Sequence, residues 1–138
     1  MSMYLYEPWF NLSLNSYENK SSSAGWAKRD EIIWNQNQRQ NDKHYFYQHA
    51  FEFISSNQVL GDYFEFGCHR CRTFRMAMLE AKRHFLTEMN FYAFDSFEGL
   101  PDGFTNHEVK EWSAGALKTD EESFKNLILE SGFSMERV

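Results

Sequence analysis

Apolar and polar residues are distributed very differently in the two parts of this chain. Residues 1–41 are polar and irregular. Within them, 21–25 (SSSAG) reads as a loop and 35–41 (NQNQRQN) as a biased polar tract. A short helix fits between the two, with Trp26, Ile33 and Trp34 on one side. From Asp42 the pattern sharpens. Asp42 suits an N-cap, and Phe46, Ala50, Phe53 and Ile54 follow at the spacing of one helical face, up to a stop at 55–57. YFEF at 63–66, bounded by Gly61 and Gly67, predicts a buried strand. Phe74, Ala77, Met78 and Ala81 mark a second helical face. FYAF at 91–94 predicts a second buried strand, closed by Asp95. A loop rich in Gly, Asp and Asn covers 96–118. Thr119 and Glu122 then form a capping box, Phe124, Leu127 and Ile128 give a buried stripe, and Gly132 ends the helix. Residues 135–138 (MERV) read as the start of a third strand.

Strands that alternate with helices in this way imply a parallel sheet with helical crossovers. Parallel sheets are normally covered on both faces and hold several strands. Two strands and the start of a third predict the N-terminal part of a longer α/β domain over 42–138, preceded by an arm over 1–41. The alternative is a complete small protein whose third strand forms an edge.

Composition narrows the function. A chain of 138 residues is enough for one domain with a core of its own, and a net charge of −6 disfavours nucleic acid or an anionic membrane as partner. Two cysteines are too few for a disulfide scaffold. The N-terminus lacks a basic segment followed by an apolar one, and no apolar run has the length of a membrane span, so a cytoplasmic protein is expected. The sequons at Asn11 and Asn19 then count as chance matches.

Ligands of open α/β sheets bind outside the carboxyl ends of the strands. The first such end is Glu65 to Thr73. There Gly67 permits a sharp turn and close approach, and the next helix aims free amides at an anionic group. The second is Asp95 with Ser96 and Phe97, where an acidic residue can accept from ribose hydroxyls. The spacing from Gly67 to Asp95 exceeds the roughly 20 residues of dinucleotide sites, and G-x-G-x-x-G is absent. GDYFEFG at 61–67, RCRTF at 70–74, FDSFEGLP at 94–101 and GALKTDEESF at 115–124 resemble class I S-adenosylmethionine-dependent methyltransferases of the macrocin O-methyltransferase-like (TylF) type. The resemblance covers about 58–138 and implies a Rossmann-like doubly wound parallel sheet, truncated here after the start of its third strand. It places Glu65 and Gly67 in the first cofactor motif, E-x-G-x-x-x-G, whose last glycine is Cys71 in this chain. It assigns the loop of Gly67, Cys68, His69, Arg70, Cys71 and Thr73 to the methionine portion of S-adenosylmethionine. Asp95, with Ser96 and Phe97 nearby, is assigned to the ribose. The reaction implied is methyl transfer to a hydroxyl of a sugar or another small metabolite. The catalytic base and the acidic residues for a divalent metal are implied to lie beyond Val138. N-terminal helices are implied to serve a homo-oligomer or to cover the acceptor.

Two other classes fit some of the same residues. Cys68 and Cys71 form a C-x-x-C after a strand, a thioredoxin-like arrangement in which the helix N-terminus and Arg70 would lower the pKa of the first thiol. No Trp precedes Cys68, however, and Pro101 lies in a turn rather than beside a strand. A zinc site is disfavoured, because His44, His49, His69, His84 and His107 lack ligand spacing to the cysteines. A non-catalytic interaction module is the third reading, with Tyr4, Tyr6, Trp9, Phe10, Trp26 and Trp34 as a docking arm. In the loop at 102–112, His107, Glu108 and Trp112 are candidates to face a ligand, with solvated loop positions as the plainer reading.

Overall fold

The computed structural model describes residues 28–102 and 113–138, with side chains from residue 37 onward in the first helix. The aromatic residues of 1–27 and the candidates His107, Glu108 and Trp112 lie outside the described residues. Two compact units divide between Phe46 and Tyr47.

Helix α1 runs Lys28–Ser56 without interruption. The irregular reading of the polar tract at 35–41 and the N-cap at Asp42 are therefore corrected: both lie inside the helix. The physical reason is that no Gly or Pro occurs between Lys28 and Ser56, and Gln, Arg, Lys and Glu tolerate helix well. In the first unit this helix is the described element. In the second unit its last turns bury Phe51 and half-bury Tyr47 and Ile54. Phe46 and Phe53 are exposed, so the buried face is rotated away from the predicted Phe46–Phe53 stripe.

Strand β1 (Tyr63–Phe66) and strand β2 (Phe91–Phe94) pair in parallel, with Tyr63 opposite Phe91 and Phe66 opposite Phe94. Between them runs α2 (Arg72–Arg83), which buries Phe74, Met76, Ala77, Met78 and Ala81. After the loop comes α3 (Glu121–Glu130), which buries Phe124 and Ile128. Its N-cap is Asp120, whose carboxylate accepts from the Ser123 N–H at 2.8 Å, one residue on from the predicted Thr119. The protein is thus an α/β fold of three helices and a two-stranded parallel sheet among the described residues. Among the described residues no helix is long and apolar enough to cross a membrane.

The strands are not buried on both faces as predicted. Side chains alternate along a strand. Tyr63, Glu65, Phe91 and Ala93 face the core, while Phe64, Phe66, Tyr92 and Phe94 are exposed. Phe74 is the hub on the covered face, with edge contacts to Tyr63, Phe91 and Phe124 at 5.9, 6.0 and 5.3 Å between ring centroids. The predicted third strand is a turn: Val138 N–H bonds to the Met135 carbonyl. One ladder-like bond does form, from Phe91 N–H to the Arg137 carbonyl at 2.7 Å. The Arg137 guanidinium is engaged elsewhere, by the carbonyls of Leu86, Thr87 and Met89.

Candidate functional site

The carboxyl ends of β1 and β2 carry the residues singled out above. Past β1 the backbone takes left-handed φ at Gly67 (+83°), His69 (+39°) and Cys71 (+57°), and then enters α2. In this turn Gly67 N–H bonds to the Phe94 carbonyl and Cys71 N–H to the Cys68 carbonyl, while the amides of Cys68 and His69 point toward β2. Helix α2 has no side-chain cap and no acidic residue of its own in its first turn, so negative charge at its positive end comes from other elements. Cys71 takes a conformation that glycine adopts freely, which gives a physical reason for a glycine at this point of the E-x-G-x-x-x-G pattern. Here the thiol is fully buried in the core instead. A Cβ placed on Gly67 would meet nothing within 4 Å. Glycine is required there by φ, and there is open space beside it.

Asp95 joins the two strand ends. One carboxylate oxygen, Oδ2, accepts from Cys68 N–H at 2.7 Å and His69 N–H at 3.0 Å. The other, Oδ1, accepts from Phe97 N–H at 2.9 Å. A carboxylate offers about four acceptor positions. Three are filled by backbone, so Oδ1 keeps room for one hydroxyl rather than for a two-pronged grip on a ribose. Burial raises the pKa of the Asp95 carboxyl, but the amides of Phe97, His69 and Cys68 outweigh it and hold the group below its ordinary value.

Glu65 and Thr73 also meet. The Thr73 hydroxyl donates to Glu65 Oε1 at 2.9 Å, and the Tyr63 hydroxyl to Oε2 at 2.5 Å. The Tyr47 and Tyr63 hydroxyls lie 2.8 Å apart. Because Tyr63 gives its proton to Glu65, Tyr47 is the donor of that pair. Glu65 is nearly buried, on the covered face of the sheet. The residue reading missed both tyrosines. The clue was period-two alternation, which puts Tyr63 and Glu65 on one face of β1.

The remaining candidates disperse. His69 Nδ1 lies 2.6 Å from the Leu117 carbonyl, so that nitrogen carries the hydrogen and ties the turn to residues 113–118. Ser96 Oγ donates to the Gly99 carbonyl. The Phe97 ring packs edge-on against Phe124 at 5.6 Å, into the core. Arg70 is exposed. Cys68 is buried, and burial, followed by the charges of Glu65 and Asp95, pushes its thiol up to about 12. A thiol nucleophile needs a shift in the opposite direction. Among the described residues no three His, Cys, Asp or Glu side chains converge as a metal cluster.

Neither a protein-family model, nor a curated protein, nor a solved structure matches this chain.

Proposed function

We propose that residues 47–138 form the cofactor-binding half of an S-adenosylmethionine-dependent O-methyltransferase that acts on a small hydroxylated acceptor. The observation that carries the reading is the seating of Asp95 on the Cys68 and His69 amides. It brings the two resembling motifs, remote in sequence, to one place at the carboxyl ends of parallel strands, where α/β sheets bind ligands. Open space beside Gly67 and the uncapped start of α2 support the same reading, since a carboxylate suits that helix end. In this reading the turn at 67–71 receives the methionine portion, and Asp95 Oδ1 accepts one ribose hydroxyl. The bound cofactor supplies a methyl group activated on a sulfonium. The reading assigns no base for the acceptor's proton and no metal ligand among the described residues. The raised thiol pKa of Cys68 favours this reading over redox chemistry at Cys68 and Cys71.

The same proposal makes the sheet the first half of a Rossmann-like doubly wound one. Right-handed crossovers that advance in one direction put successive helices on the same face. The other face is covered only after the strand order reverses. Helices on one side and four exposed aromatic rings on the other fit that first half.

Calorimetric titration with S-adenosylhomocysteine tests the proposal. The folded chain should bind, and Asp95→Asn, which keeps the shape but loses the charge and an acceptor, should bind at least tenfold more weakly. A chain that is folded by circular dichroism yet releases no heat overturns the reading.

A further inference from the structure

The hydroxyls of Tyr47, Tyr63 and Thr73 and the carboxylate of Glu65 form one continuous hydrogen-bonded chain, drawn from α1, β1 and α2. The arrangement is directional. A phenol and an alcohol donate to opposite oxygens of a carboxylate that belongs to the last turn of strand before Gly67. With a donor on each oxygen, the plane of the carboxylate is fixed. Tyr63 is itself held by Tyr47 on its other side. The tyrosine rings are packed as well, with centroids 6.3 Å apart, and Tyr63 lies edge-on to Phe74 at 5.9 Å. Neither phenol is therefore free to turn away from the carboxylate.

A buried carboxylate of fixed orientation beside a ligand turn is suited to a cation. The amino-acid end of the proposed cofactor carries two charges of opposite sign. Its carboxylate suits the amide-rich start of α2, and its ammonium suits Glu65. We propose that Tyr63, braced by Tyr47 and opposed by Thr73, is a positioning residue that orients Glu65 toward the ammonium group of the cofactor's amino-acid portion. This inference rests on the cofactor reading above and adds to it a source of selectivity for ligands that carry the amino-acid portion. In this chain of hydroxyls Tyr63 bonds to Glu65 and Tyr47, and Tyr47 also bonds to Thr73.

The test compares two ligands on the full chain by calorimetry. S-adenosylhomocysteine carries the amino-acid portion, and 5′-methylthioadenosine shares the nucleoside and sulfur but lacks it. Tyr63→Phe keeps the ring packing and removes the donor. It should weaken S-adenosylhomocysteine binding roughly 5- to 30-fold, the range for a lost hydrogen bond to a charged group, while changing 5′-methylthioadenosine binding less than twofold. Tyr47→Phe should show the same selectivity at smaller size. Thr73→Val should behave like Tyr63→Phe, and Thr73→Ser should restore binding. An equal loss for both ligands would mean a merely structural role and would overturn the positioning assignment. So would unchanged binding of both in Tyr63→Phe. If the unaltered folded chain binds neither ligand, the cofactor reading fails, and this inference fails with it. If Tyr63→Phe does not fold, the Thr73→Val and Thr73→Ser pair decides the same question.

Discussion

Asp95 and Cys68 sit on the two sides of one hydrogen bond and respond to pH in opposite directions. The Asp95 carboxyl is held below its ordinary pKa, because the amide donors outweigh the burial that would raise it. Its contribution is complete above that ordinary value and is lost as pH falls through the lowered folded value. Asp95→Ala should cost about 1.5–3 kcal/mol at neutral pH. In urea denaturation it should also flatten the acid limb of the stability curve. Cys68 is the reverse case. Its thiol ionises near 9 when unfolded and near 12 when folded, so its contribution holds below 9 and disappears between about 9 and 12. Iodoacetamide at pH 8 should label neither Cys68 nor Cys71 in the folded chain and both in urea, since both are buried. Rapid labelling of Cys68 without denaturant would show that the thiol is not held as described. Asp95 was identified in the sequence as the acid closing a strand. That its oxygens would be taken up largely by the neighbouring turn depends on strand pairing, which no local pattern encodes.

At the scale of elements, the three helices end in the same way. After α1, α2 and α3 the chain turns through a left-handed residue whose N–H bonds three residues back, and the next N–H bonds five residues back. Gly132 supplies that residue after α3, where the sequence made the stop legible. Gln58 and Phe85 supply it after α1 and α2, at φ of +53° and +56°. A side chain in this region is strained by roughly 1–2 kcal/mol. Phe85 is 84% exposed, so its ring returns little of that in packing. Phe85→Gly should therefore stabilise the protein by about 0.5–1 kcal/mol, after the greater freedom of glycine in the unfolded chain is allowed for. The urea midpoint measures it, and a lower midpoint would mean that the exposed ring makes contacts in solution. The long α1 is the opposite lesson. Its polar middle has no apolar stripe to announce a helix, yet nothing in it breaks one.

At the largest scale, the dominant feature of the second unit is a sheet that the described residues cover on one face. Phe64 stacks on Tyr92 and Phe66 on Phe94, both pairs at 4.8 Å between ring centroids, and all four rings are exposed. Cross-strand pairs of this kind contribute roughly 0.2–1 kcal/mol each. The double variant Phe66→Thr, Phe94→Thr should therefore lower stability by about 1 kcal/mol or less. It should also reduce the fluorescence of a dye that binds apolar surface. A loss above about 3 kcal/mol would instead indicate that the rings are buried by other residues in solution.

The sequence by itself determined β1, α2, β2 and α3 and their order. Short aromatic runs, closed by Gly67 and Asp95, marked the strands, and apolar spacing marked α2 and α3, because these depend on residues close in the chain. It also determined that Gly67 must turn and that Asp95 closes β2. Tertiary structure decided the rest. Pairing the strands placed Asp95 on the amides of Cys68 and His69. Packing α1 and α2 on one face gathered Tyr47, Tyr63, Glu65 and Thr73 into one chain of hydrogen bonds. It also left alternate aromatic residues of both strands uncovered, although the local pattern reads the same whether one face is buried or two. Periodicity records which side chains share a face. Only the packing of distant segments records what that face meets.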